Sequence, residues 1–322
     1  MKSRIDRLAV ILGVLVLTGS TVLGGPMRRA DVAADPVWAV HVDCDLLRST
    51  ALGSFILSEM EKPEAQAKLA AFQAMFSFDL RTQLHGLTLY STGPSPADGV
   101  LLVYADFDPD RLVTLAKAAE DARETQYKQT VIYSWVDGKR KARNGVKPRT
   151  YAAIAGDRVV FAQQEERVAQ ALDVVKGATP SLAGGQVFGQ LGAAGSTGFI
   201  QAAARKLDFA ASAPNAAILR LSKLARFQLG ETGQQVTATL ALEANDEEVA
   251  TNMVSIAQGL VALMKLQKEK PESAKIADAL AITQKGPGLL VNLSLPAADV
   301  IEMMKAGAAH KAHRKDAKET NN

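Results

Sequence analysis

Four groups of residues have types and spacings that invite chemistry. His41, Asp43 and Asp45 stand at alternate positions in VHVDCDL, so an extended strand would turn one imidazole and two carboxylates to the same side, as a metal site requires. The chain's other histidines are His85, at a strand entry, and His310 and His313 near the end, and neither CxxC nor HExxH occurs, so the three residues read as the polar face of a strand edge. Asp106, Asp108 and Asp110 in DFDPDR imitate the opening of a calcium loop, but Arg111 and Lys117 occupy the places where such a loop needs glycine and glutamate. That segment reads as a helix cap. Thr114 to Lys117, TLAK, puts threonine where an SxxK nucleophile has serine, inside an amphipathic helical pattern, and no GxSxG elbow is present. GGQVFGQLG, Gly184 to Gly192, lacks the preceding strand and the lysine of a phosphate loop. Nothing here assembles a nucleophile, base and orienting acid, and no catalytic residue, metal or cofactor is expected.

The remaining candidate is a surface. DGKRKARNGVKPRT, Asp137 to Thr150, crowds Lys139, Arg140, Lys141, Arg143, Lys147 and Arg149 between two apolar, strand-like runs. Asp137, Gly138, Asn144 and Gly145 give it the composition of a hairpin connection. As a contact surface it would suit an anionic envelope component or an acidic protein face, each cation contributing about 1 kcal/mol near an anionic membrane. Nucleic acid is not expected, because only Tyr133 and Trp135 lie near enough to offer stacking platforms.

The elements that must position these residues begin after a leader. Lys2, Arg4 and Arg7 precede an apolar run from Leu8 to Leu17, then small residues to Gly25, which is the layout of a secretory signal peptide over residues 1–25 with cleavage near Gly24. Retention of the leader would leave a membrane anchor instead. Either way the body is expected outside the cytoplasm, periplasmic or secreted. The single cysteine, Cys44, allows no internal disulfide, and 48% hydrophobic with 22% charged residues is an ordinary globular balance that must supply its own core. The net charge of +3 includes the leader's cations, so overall charge selects no class of partner.

Along the body, VWAVHVD predicts a strand and DLLRSTALGSFILSEM a helix; Pro63 opens a second helix, PEAQAKLAAFQAMF. GLTLYSTG and GVLLVYADFD predict strands. Asp108 and Pro109 start a helix whose Leu112, Leu115, Ala116 and Ala119 share a face. TVIYSWVDG and YAAIAGDRVVFA add strands, and EERVAQALDVVK ends at Gly177. The order then runs again: GFIQAAARKL, a hairpin turning at Glu231 to Gln234, a long helix with a capping-box-like start at Asn245 and Glu248, a short helix from Pro271, a second hairpin, and PAADVIEMMKAG. The expected fold is α+β in two similar halves, residues 35–177 and 197–307, each an antiparallel sheet with helices on one face, related by duplication. Residues 178–196 are expected to be a linker and 308–322 a disordered tail.

DPVWAVHVDCDLLRSTALGSFI, LHGLTLYSTG, YSWVDGKRKARNGVKPRTYAAI and the half containing AARKLD, VTATLALEA and VSIAQGLVAL together resemble a group of secreted, uncharacterised proteins of planctomycete-type bacteria, from about Ala34 to the last helix. The resemblance implies export and transfers no functional residue. The sequence therefore predicts an exported, non-enzymatic protein that binds or scaffolds at the cell envelope. The alternative is an extracytoplasmic hydrolase whose site is assembled from scattered residues.

Overall fold

Trp38–Asp43, rich in β-formers and alternating in burial, is strand β1. In a computed structural model describing residues 27–138, 147–185, 188–189, 191–192, 196–205, 218–266 and 271–319, it lies at the middle of one antiparallel sheet. Around it run β2 (Leu84–Ser91), β3 (Gly99–Ala105), β4 (Arg123–Tyr127), β5 (Thr130–Val136), β6 (Arg149–Ala155), β7 (Arg158–Ala162), β8 (Gly198–Arg205), β9 (Ser222–Thr232), β10 (Gln235–Ala244), β11 (Leu280–Lys285) and β12 (Gly288–Pro296). Their spatial order is β11-β12-β10-β9-β8-β1-β2-β3-β7-β6-β5-β4. The α+β class and the antiparallel pairing are as expected. The two halves share this sheet because β1 pairs with β8, setting His41 opposite Gln201.

The helices are α1 (Cys44–Arg48), α2 (Ala51–Met60), α3 (Pro63–Phe76), α4 (Pro109–Lys117), α5 (Glu165–Val175), α6 (Glu247–Lys265), α7 (Pro271–Ala279) and α8 (Ala297–Glu319). The single helix expected after β1 is broken at Thr50, whose hydroxyl accepts from Gly53 N and starts α2 afresh. The carboxylate of Glu231, from the other half, accepts from the free amides of Ala51 and Leu52, satisfying donors that every helix start leaves open. Gly53 is required there: a Cβ would stand 1.8 Å from the Leu47 carbonyl oxygen. The cap of α6 is Asp246, accepting from Val249 N, instead of the expected Asn245.

Register divides the sheet into two faces. On the first, Ala39, Tyr90, Leu102, Tyr104 and Val160 pack with α5 and with Met27, Val32, Leu182, Phe188 and Leu191. The second carries α1 to α4 over the amino half, and α6 to α8 over the carboxyl half, where Leu242, Leu289, Ala250 and Met253 form a second cluster. In the amino half, then, helices take both faces, since α5 is amphipathic through Val168, Ala171, Leu172 and Val174 and covers the face that α1 to α4 leave open.

The segment expected as a linker is part of the core. Leu182 is fully buried, as are Phe188 and Leu191 nearly so, and Arg29 clamps the segment by donating to the carbonyls of Phe188, Leu191, Leu182 and Gly185 at 2.8 to 3.1 Å. Next to it, Arg158 donates to buried Asp31, Tyr104 donates to the same carboxylate at 3.1 Å, and Arg28 pairs with Asp157. Burial raises the Tyr104 phenol well above its ordinary range. At the other end of the chain, α8 runs through Gly307 to Glu319, where disorder was expected after residue 307. The AGAAHKAHRKDAKE stretch is polar, but most of its residues, the alanines, lysines, Arg314 and Glu319, are strong helix formers.

Candidate functional site

Helix α4 roofs an apolar concave feature. Asp108 caps it by accepting from Asp110 N and Arg111 N, and Arg111 in turn donates to the carbonyls of Met75 and Ala74 at 2.8 and 3.1 Å. The end of α3 is thereby fixed beside α4, and Ser77 closes it in the left-handed region at φ 60°. The face of α4 carrying Leu112, Leu115, Ala116 and Ala119 lies over β5, β6 and β7, whose second-face side chains are Tyr133, Trp135, Ala152, Ile154, Val159 and Phe161. Small residues on both walls leave a cavity of about 270 Å³ with Met75 and Phe76 at its side. Its lining is aliphatic and aromatic throughout. A cavity of about 150 Å³ lined this way stays dry and admits benzene, so this one has room for a larger apolar molecule.

The candidates suggested by the sequence are dispersed. His41 is buried and its Nδ1 lies 2.9 Å from the Thr88 hydroxyl. Asp43 is spent capping α1, accepting from Leu46 N. Asp45 pairs with Arg48 and with His85, whose second ring nitrogen is 3.1 Å from Asp106. The imidazole of His85 therefore has a carboxylate at each nitrogen. Neither histidine lines the apolar cavity. Burial pushes the Cys44 thiol up, against the opposing pull of Arg48, so it is less available as thiolate. Thr114 donates to the Asp110 carbonyl within its own helix, as an ordinary helical threonine does. Among the described residues no group of three or more His, Cys, Asp or Glu stands close enough to hold a metal ion.

Of the basic stretch, Lys139, Arg140, Lys141 and Arg143 lie outside the described residues, as does the expected leader. Lys147 and Arg149 are described. Lys147 pairs with Glu120 at 2.7 Å, which raises its pKa. Arg149 pairs with Asp121 and also donates to the Asp121 and Ser134 carbonyls and the Ser134 hydroxyl. Hydrogen bonds from Arg123 and Arg149 hold Asp121 below the usual carboxylate range. These two cations brace the base of the β5–β6 connection. What sequence reasoning missed is the cavity: its lining residues read as core because their periodicity reports which side faces inward, and not how fully the inside is filled.

No family model matches the chain, and no curated protein matches it. Crystal forms of TP0453, a Treponema protein, are similar in structure. Form III aligns with a TM-score of 0.48 at 9% identity, covering 87% of this chain and 98% of that one. Form I gives 0.46 at 10% identity, and form IV 0.45 at 10%, each covering 87% of this chain and 97% of the other. Among the described residues no helix is long and apolar enough to cross a membrane.

Proposed function

We propose that this chain is an exported, non-enzymatic binding protein that holds a small apolar molecule in the cavity beneath α4. The observation that carries the reading is the cavity itself, about 270 Å³ walled entirely by apolar and aromatic side chains. Binding sites for small molecules are concave and mostly apolar. Catalytic sites add convergent titratable groups, and these walls hold no histidine, carboxylate, serine or cysteine. That weighs against the hydrolase alternative. Export rests on the leader pattern of residues 1–25 and on the resemblance to a secreted group. Lys139, Arg140, Lys141 and Arg143, in the connection between the two strands β5 and β6 that floor the cavity, are proposed as an accessory surface for an anionic envelope component.

Duplication is part of the same proposal. On each side of the β1·β8 pair the chain forms a strand, then a hairpin leading into a helix, then a returning hairpin whose second strand joins the third: β1, β2, β3 with β7 and β6, and β8, β9, β10 with β12 and β11. The amino half inserts β4, and the closing helices α5 and α8 occupy opposite faces.

The test is titration of the mature chain with N-phenyl-1-naphthylamine, an uncharged apolar fluorophore. Saturable binding at one site per chain is expected, with energy transfer from tryptophan that falls in the Trp135→Phe variant, because Trp135 lines the cavity. Absent or non-saturable enhancement would overturn the reading.

A further inference from the structure

Over the carboxyl half, the described helices pack on the second face alone, and on the first face the Phe188–Gly192 segment reaches β8 through Gln201, leaving β9 to β12 without a described helix over them. This face is mixed: Gln201, Gln228, Thr239, Asn292 and Arg226 stand on it beside Ala203, Leu224, Ala241 and Leu290. Arg226 differs from the other half-buried arginines among the described residues. Every other half-buried arginine among the described residues donates to a carboxylate or a carbonyl: Arg28 to Asp157, Arg48 to Asp45, Arg158 to Asp31, Arg167 to Asp98, and likewise the rest. Arg226 has no such partner there, and its Nε is shut off from solvent with no acceptor. A guanidinium nitrogen buried without an acceptor is costly. The fork of five donors matches a carboxylate or phosphate bidentately.

The surroundings leave space for that anion. The cross-strand neighbours of Arg226 are Ala203 and Ala241, too small to cover the guanidinium. It forms part of the wall of two cavities, one of about 80 Å³ shared with Gln228 and Thr239, the other of about 660 Å³ reaching Thr283, Gln284 and Lys285. Two of the polar groups nearby are already engaged. Gln201 accepts from Gly192 N and donates to the Gly198 carbonyl, and Thr239 donates to Asn292. The one acid in the larger cavity, Glu243, pairs with Lys223 at 2.8 Å, whereas Lys285 has no ion pair among the described residues. The charge left facing this hollow is positive.

We infer that Arg226, on this first sheet face, anchors a binding site for a small solute bearing a carboxylate or phosphate group, with Lys285 as a second cation. The site is independent of the apolar cavity, which lies on the opposite face of the other half. Two probes distinguish the sources of the oxyanion: inorganic phosphate and citrate, each titrated calorimetrically into the mature chain at low ionic strength. Saturable one-to-one binding of at least one probe is expected, weakened tenfold or more in Arg226→Met and less in Arg226→Lys. Arg220→Gln, which changes an exposed arginine outside both cavities, is expected to bind as the parent does. Arg226→Met loses no internal bond, so its melting temperature is expected to equal or exceed that of the parent. Absence of saturable binding by both probes, undiminished binding in Arg226→Met, or unfolding of that variant would each overturn the proposal.

Discussion

Replacing Ala116 with leucine puts three further carbons into the cavity beneath α4. Ala116 lies in the wall, half-buried, on a helix held at its start by Asp108 and tied to α3 by Arg111. If the space is a true void, each methylene contributes about 0.8 kcal/mol on leaving water, about 2.4 kcal/mol in all. Fixing the leucine rotamer returns about 0.5–1 kcal/mol. The variant should therefore be more stable by about 1.5–2 kcal/mol, because about 270 Å³ accepts an isobutyl group without displacing the walls. A filled core would give the opposite sign, since overpacking costs about 1–3 kcal/mol. Urea unfolding, read as a rise in midpoint at unchanged slope, measures the change, and titration with N-phenyl-1-naphthylamine should show lost affinity in the same variant. A destabilised Ala116→Leu, or one that binds the probe unchanged, would refute the reasoning.

Other expectations follow from single contacts. Arg29→Met removes four hydrogen bonds to the carbonyls of Leu182, Gly185, Phe188 and Leu191 and should cost about 1–3 kcal/mol, the penalty of leaving a buried acceptor unsatisfied; a urea midpoint near the parent's would contradict it. The hydrogen bond from Arg167 holds Asp98 below the usual carboxylate range, so its stabilisation is present above the unfolded value, about 3.9, and is lost as pH falls through the lower folded value. The melting temperature of Arg167→Met should fall less steeply below about pH 4 than that of the parent, and equal slopes would count against the pairing. Neutralising Lys139, Arg140, Lys141 and Arg143 together should abolish retention on anionic liposomes at low salt, where screening is weakest; unchanged retention would reduce this stretch to a solvated loop.

Elements with local chemical signatures were legible in the sequence. Asp108 before proline, Pro63 at a helix start, Gly177 with φ 71° at a helix end, and the turn at Gly233 and Gln234, both at positive φ, announce themselves through backbone geometry that few other residues satisfy. β4 was not legible: RETQY is an exposed edge strand held by pairing with β5 and carries no apolar alternation. Phe188 and Leu191 sit among glycines and alanines, and distant partners, Arg29 and Gln201, hold their segment against the core. The histidines, singled out for their chemistry, are engaged by Thr88 and by two carboxylates. The cavity under α4 and the unpartnered guanidinium of Arg226 both depend on what stands opposite a residue across the fold, and neither spacing nor composition reports that.

The claim that the space under α4 is a ligand site is tested most directly by crystals of the mature chain soaked with a short 1-bromoalkane, the bromine being located by its anomalous scattering. The account predicts a single strong bromine peak inside the cavity, in contact with Leu112, Trp135 and Phe161. An empty cavity, or bromine found only on the outer surface, would contradict it.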